Sequence, residues 1–419
     1  MSENPLRIVL LNDLLPPDSE GGLELSAFEI GSGLRSLGHD VQFVCSEWRP
    51  SFTGERRDPD HIHRLLSYEE ARPSKRPGPA GKIESFRSIQ RKINVGGKNY
   101  GTLCEWLKAN GPFDVALVFG ILGVGLGVAR AFTDLGIPIV WSMGDVSIPV
   151  HFGLSSQTKL YRLAFNTVGR KWHAVEKTVD FSHILFTSDF VRRENLKVGI
   201  DPKEWQVIPR AIDFKITPPE SLEKERPPSM LVACRLSPSR GVHVAIQAAE
   251  QLAERRPDLD WRLKIAGSGA PDYVNALMAQ AKPLGNRVVF LGKLGKPDLL
   301  AVMRSATIVL NPTVEVEGFG RTNIEAMACG AALLATDIPS IHEIVISGVS
   351  AEIVPPGDAE AMSAAMETLL TDTGHLCRLV SAAHLRVLDS YTLPPVLGAI
   401  EGHIRKATHA HRHDKTTSD

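Results

Sequence analysis

At 419 residues the chain exceeds one compact domain, and with 43% apolar and 23% charged residues it is neither disordered, collagenous nor fibrous, so two domains with a large buried core are expected. Its 47 basic and 48 acidic side chains leave a net charge of −1, which excludes a global attraction to nucleic acid and makes any anion site local. Five scattered cysteines without a C-x-x-C pair argue for a reduced, cytoplasmic chain lacking a zinc or disulfide framework.

In chain order, the apolar block Ile8–Leu11 is too short for the core of a signal peptide and has the length of a buried strand. Gly21-Gly22 reads as a tight turn into a helix, and further blocks follow at Val41–Cys45, Val115–Phe119, Ile137–Trp141, Ile184–Thr187 and Trp205–Ile208. Helical patterns separate them, which predicts βαβ units and a parallel sheet. The longest uncharged stretch, Val115–Ala129, spans 15 residues, where a membrane helix needs about 20.

Asp58-Pro59-Asp60 and Asp258-Leu259-Asp260 look like metal-binding pairs but fall in polar loops, and His61-Ile62-His63 has no third ligand nearby, so no metal site is read here. Residues 72–98 carry eight basic side chains against one acid, with Phe86, Ile89 and Ile93 at helical spacing. Such an element can lie on an anionic membrane surface or be a solvated face, and Lys159–Lys177 is similarly mixed.

Thr217–Ser229 has four prolines, five charges and no periodicity, and reads as a linker. A second strand series begins at Met230–Ala233 and continues at Leu263–Ala266, Val288–Leu291, Ile308–Leu310, Ala332–Ala335 and Ala351–Val354. The expected organisation is a Rossmann-like domain over 1–216, a linker over 217–229 and a second Rossmann-like domain over 230–390. A closing helix over 391–406 returns to the first domain, and a polar, disordered tail with alternating His409, His411 and His413 fills 407–419.

The most informative segment is 311–330, NPTVEVEGFGRTNIEAMACG. Glu317 precedes Gly318-Phe319-Gly320, and Glu325 lies eight positions on, inside a helix that Gly330 would end. Glycines permit the turn, and the N–H groups opening the helix, over Gly318–Asn323 and including Arg321 and Thr322, can hold a phosphate or diphosphate. The two carboxylates that bracket the turn are acceptors for sugar hydroxyls.

This segment resembles the E-x7-E signature of the retaining GT-B glycosyltransferases of family GT4. Ala233-Cys234-Arg235-Leu236-Ser237-Pro238-Ser239-Arg240-Gly241 resembles the family's "GRLxxxKG" turn, Ile265-Ala266-Gly267-Ser268-Gly269 its "vxGxG", and Val289-Phe290-Leu291-Gly292 its "vxFLG". Gly21-Gly22 with Leu37-Gly38-His39-Asp40-Val41 resembles its opening, and Ile208-Pro209-Arg210-Ala211-Ile212-Asp213 stands in the place of "IPNGVD". The basic pair is Arg235 and Arg240 where Arg and Lys are usual, which keeps the charge. Two first-domain histidines of the family are missing, one after Val115–Phe119 and one within Trp141–Asp145; Asp145 is the candidate acceptor contact in their place.

The resemblance implies a GT-B fold of two Rossmann-like domains facing a central cleft, and transfer of a sugar from a nucleotide-sugar donor, UDP-sugar by default, without a divalent metal or other cofactor. Arg235, Arg240 and Glu317 would be catalytic. Gly22, Arg210, Gly267, Gly318, Phe319, Gly320, Arg321, Thr322, Asn323 and Glu325 would bind the donor, Glu317 through sugar hydroxyls and Glu325 through the ribose. The acceptor would be a glycan or lipid-linked intermediate of the cell envelope, met in the cytoplasm or at the inner face of the membrane. A nucleotide-sugar-binding protein that has lost transfer, or a GT-B epimerase, remain rival readings.

Overall fold

The computed structural model describes residues 4–18, 21–48, 58–69, 78–125, 127–146, 179–216, 218–219 and 223–418, of which 78–90, 92, 93 and 414–418 are described as backbone alone. The chain divides into two compact units, Met1–Pro209 with Leu393–Asp419, and Arg210–Thr392.

The first unit is a parallel seven-stranded sheet in the order β3-β2-β1-β4-β5-β6-β7. Its strands are β1 (Arg7–Leu11), β2 (Asp40–Ser46), β3 (Ile62–Leu66), β4 (Val115–Val118), β5 (Ile139–Met143), β6 (His183–Phe186) and β7 (Glu204–Val207). β1 pairs with both β2 and β4, Leu10 lying opposite Phe43 and Leu117, so the winding direction reverses beside β1. Continuous apolar runs are what strands covered on both faces require, and β1, β4 and β5 are buried almost throughout. β3 was not among the predicted blocks, because in Ile-His-Arg-Leu-Leu only Leu66 is fully buried. The buried Arg64 of that strand holds Asp18 at 2.8 Å, Asp58 at 3.0 Å and the Pro16 carbonyl at 2.6 Å, and so ties down the loop after β1.

The second unit is a parallel six-stranded sheet in the order β10-β9-β8-β11-β12-β13. It comprises β8 (Ser229–Ala233), β9 (Arg262–Ala266), β10 (Val288–Gly292), β11 (Ile308–Asn311), β12 (Ala332–Thr336) and β13 (Glu352–Val354). β8 pairs with β9 and β11, again placing the reversal beside the unit's first strand. The helix Val242–Arg255 buries Val242, Ala245, Ile246, Ala249 and Leu252 along one face, against a core that includes Trp261, Leu263 and Met362.

Two expected boundaries are corrected. The stretch read as a linker belongs to the second unit: Lys224 Nζ donates to the carbonyls of Arg304 and Ala306 at 3.0 and 2.9 Å, and Glu225 pairs with Lys264. Proline and charge content there reflect irregular backbone, not freedom; residues 217 and 220–222 lie outside the described residues. The tail read as disordered is helical, since the closing helix runs Leu393–Ser418. Its buried stripe Leu397, Ile400, Ile404 and Ala407 keeps helical spacing past Lys406, and His411 Nε2 meets the Gly136 carbonyl at 2.7 Å. Gly33 admits this helix, because a Cβ there would lie 2.4 Å from Leu397.

The D-x-D look-alikes serve arginines: Asp58 pairs with Arg64, Asp258 with Arg256 and Asp260 with Arg262. Of the basic candidates, 159–177 lies outside the described residues, as does 72–77 of the other, whose backbone from Gly78 onward belongs to the helix Gly78–Asn110. No helix among the described residues is long and apolar enough to cross a membrane.

The closing helix meets β6 through two buried imidazoles, His183 and His403, whose rings lie 5.8 Å apart edge to face. Burial lowers both pKa values, His403 to about 4, with Asp180 and Glu204 opposing and Lys203, Lys406 and the partner ring reinforcing the shift. Between pH 6.5 and 4 the unfolded chain therefore binds the extra proton, and stability contributed by neutral His403 is lost as pH falls. Urea titrations should show the unfolding free energy dropping by about 2 kcal/mol from this group between about pH 7 and 5, and His403→Gln should flatten that part of the profile.

Candidate active site

Three strand ends of the second unit build the site. After β8 the chain continues as Cys234-Arg235-Leu236, and Leu236 N–H donates to the Ser268 carbonyl at 2.8 Å. The approach is close enough to require glycine: a Cβ on Gly267, at φ 145°, would lie 1.9 Å from the Cys234 carbonyl oxygen, and one on Gly269 would lie 1.9 Å from that of Leu236. The short helix Pro238–Arg240 then ends at Gly241, whose φ of 64° turns the chain onto the end of β11. A Cβ on Gly241 would sit 1.8 Å from the Pro312 carbonyl oxygen.

This turn delivers Arg240 to Glu317, Nη1 to Oε1 at 2.5 Å, across 77 positions of sequence. Asn311, which ends β11, donates from Nδ2 to Asn323 Oδ1 at 2.8 Å and reaches Glu317 Oε2 at 3.5 Å, while Thr313 Oγ1 donates to Asn311 Oδ1 at 2.6 Å. Gly320, at φ 83°, opens the helix Arg321–Ala328, and a Cβ there would lie 2.5 Å from Asn323 Nδ2 and 3.1 Å from Glu317 Oε2. The helix opening, the carboxylate and the arginine thus meet in one place.

Glu325, on the next turn of that helix, is 4% exposed. Its Oε1 accepts from Arg321 Nε at 2.7 Å and pairs with Lys296 Nζ. Arg235 is exposed and forms no ion pair among the described residues. Burial pushes the Cys234 thiol up to about 12, so it stays neutral beside Arg240 and Glu317.

The predicted residues divide by this geometry. Arg240, Glu317, Gly318, Gly320, Arg321, Thr322, Asn323 and Glu325 converge around the opening of one helix, with Arg235 and Gly267 on the adjoining turns. Three differ from expectation. Phe319 is 7% exposed in the apolar core, its ring 6.2 Å from that of Tyr391, so it supports the turn from beneath. The Arg321 guanidinium is engaged by Glu325, and the Asn323 N–H already donates to the Gly320 carbonyl at 2.9 Å, which leaves fewer backbone donors for an anion than expected. Arg210 is buried at the start of the second unit. Gly22 and Asp145 belong to the first unit: Gly22 begins the helix Gly22–Ser36, and Asp145 is exposed after β5, its carbonyl accepting from Asn195 at 3.1 Å. Sequence reasoning missed Asn311, Thr313 and Lys296. The first two stand inside the informative segment, but nothing in the sequence links Lys296 to Glu325.

Residues 20–215 match the family described as Glycosyltransferase Family 4, and residues 213–386 the one described as Glycosyl transferases group 1. The chain is a family 4 glycosyltransferase. It is 26% identical over 376 residues to a phosphatidyl-myo-inositol mannosyltransferase of Mycolicibacterium smegmatis, covering 88% of this chain and 86% of the relative. It is 30% identical over 184 residues to a D-inositol 3-phosphate glycosyltransferase of Paenarthrobacter aurescens, covering 42% and 45%. Among solved structures, Anabaena HepE in complex with UDP-glucose superposes with a TM-score of 0.67 at 20% identity over 96% of this chain and all of that one, and WaaG, a glycosyltransferase involved in lipopolysaccharide biosynthesis, with 0.62 at 19% over 94% and 98%. These likenesses give the glycosyltransferase its GT-B fold of two Rossmann-like domains.

The Gly241 turn sets the Arg240–Glu317 geometry, and a side chain there meets both strain and backbone. Gly241→Ala should lower the unfolding free energy by at least about 2 kcal/mol in chemical denaturation. Gly348→Ala, at φ 70° with open space around it, carries the strain alone and should cost about 1 kcal/mol.

Proposed function

We propose that this glycosyltransferase moves a sugar from a nucleoside diphosphate sugar to a hydroxyl of a lipid-linked or glycan acceptor, with retention and without a divalent metal. The observation that carries the reading is the convergence of Arg240, Glu317 and the Gly320 helix opening, with Glu325 one turn further on. The chemical problem is a diphosphate that gains negative charge as the anomeric C–O bond breaks. Arg235, Arg240 and the N–H groups of Arg321 and Thr322 answer it, because their attraction grows with that charge and so favours the transition state over the bound donor. Fixed arginines supply the charge stabilisation for which other enzymes use a divalent ion.

Without donor, Arg240 is neutralised by Glu317. A diphosphate would take over the guanidinium, and Glu317 would turn to the donor sugar's hydroxyls; Glu325 would accept from the ribose. UDP-sugar is the first donor to try, since HepE is described with UDP-glucose, and an inositol-bearing glycolipid or phosphate is the first acceptor class, since the similar enzymes are named for those substrates. Asp145 is the proposed acceptor contact in the first unit. A lipid-linked acceptor would bring a cytoplasmic enzyme to the inner face of the membrane, with the basic segment 72–98 as the anionic-lipid contact.

A thermal-shift panel of UDP-, GDP-, ADP- and dTDP-sugars tests the donor site. One of them should stabilise the parent, by about 2.7 kcal/mol at a hundredfold excess over Kd, and leave Arg240→Ala and Glu325→Ala nearly unshifted. With that donor, Arg240→Met should lower kcat by about 10²–10³, and EDTA should leave the rate unchanged. Donor binding without transfer would favour a binding protein, and acceptor-free isomerisation of the donor an epimerase.

A further inference from the structure

Lys296 stands against a local rule. It is the first residue of the helix Lys296–Ser305, where the summed peptide dipoles are positive and a cation is disfavoured, and no side chain caps that end. Its ammonium nevertheless reaches the buried Glu325, on the same Oε1 that accepts from Arg321. The Phe214 ring centroid lies 5.8 Å from the ammonium and 5.6 Å from the Arg304 guanidinium, so the lysine is braced on an aromatic ring as well. A charge placed against the local preference and held by two further contacts marks a residue kept for the site.

Two cations on one oxygen have a geometric consequence. Arg321 restrains Glu325 from four residues away on the same helix, whereas Lys296 comes from a separate helix. Together they restrain the rotation of the carboxylate about its final bond through Oε1.

On the reading above, in which Glu325 binds the donor's ribose, we infer that Lys296 is a positioning residue: it pins Glu325 Oε1 so that Oε2 accepts from the ribose hydroxyls, and the site thereby distinguishes ribonucleotides from 2′-deoxyribonucleotides. The lysine acts through Glu325 and does not itself touch the ribose.

Calorimetric titrations of UDP, GDP and ADP, each beside its 2′-deoxy form, into the parent, Lys296→Met and Lys296→Arg decide it. The parent should prefer the ribose form of the nucleotide it binds by about tenfold or more, as expected for a hydrogen bond to a charged acceptor. In Lys296→Met that preference should fall below about threefold while the 2′-deoxy form binds nearly as before, and Lys296→Arg, which keeps a cation in reach, should restore it. Equal weakening of both forms with the ratio intact would reduce Lys296 to a structural role and overturn the inference. Lys296→Gln carries the same comparison if the methionine variant does not fold. A parent that binds nucleoside diphosphates with no ribose preference would overturn the inference and leave the diphosphate site standing; a parent that binds none of these nucleotides would overturn the donor-site reading itself.

Discussion

The site depends on how closely the ends of β8, β9 and β11 approach one another. Parallel strands lie side by side at a fixed spacing, so their carboxyl ends alone do not bring an arginine after β8 onto a carboxylate after β11. Gly267, Gly269 and Gly241 close the gap by letting backbone meet backbone where any Cβ would overlap a carbonyl oxygen. Arg240 is thereby delivered to Glu317, and Asn311 bonds at once with Asn323 and Glu317. Gly320 does the same for the helix that follows, since its left-handed backbone points the first turn back at the strand ends. The winding order of the sheet chooses the place, and these glycines set the distances within it.

Much of this was legible because it is written in backbone chemistry. Glycine at 318 and 320, a carboxylate on either side and a helix stop at Gly330 have few uses other than a turn that presents N–H groups and acceptors together. The alternation of apolar blocks likewise fixes two parallel sheets, since buried strands and amphipathic helices differ in period. What escaped was tertiary. Phe319 stands between two glycines of the turn and yet points into the core, and proximity in sequence carries no signal of that. Lys296 lies on a different helix from the carboxylate it binds, and no spacing rule links the two. Polar composition beyond Lys406 masks the closing helix, whose buried stripe continues at Ala407. Lys224 and Glu225 have the composition of linker charges, and only their partners at Arg304, Ala306 and Lys264, distant in sequence, make them part of the second unit.

The two carboxylates of the signature occupy different physical regimes, and this fits the different tasks proposed for them. In the Arg240–Glu317 pair the side chains are 31% and 19% exposed, so water shares the interaction and the pair contributes on the order of 1 kcal/mol or less. Exchanging such a partner for an incoming diphosphate costs little, which suits a carboxylate that has to turn toward a sugar. Glu325 and Arg321 are 6% and 8% exposed, and Lys296 completes a cluster with one carboxylate and two cations. Removing the carboxylate there strands the buried Arg321 at a cost of about 3–5 kcal/mol, so the arrangement does not readily exchange. A residue proposed to read the same ribose in every cycle benefits from that rigidity, because an acceptor already oriented loses no freedom when the ligand arrives. The spacing of eight residues therefore joins a partly exposed carboxylate to one that is held still, and burial separates the two proposed roles where residue type does not.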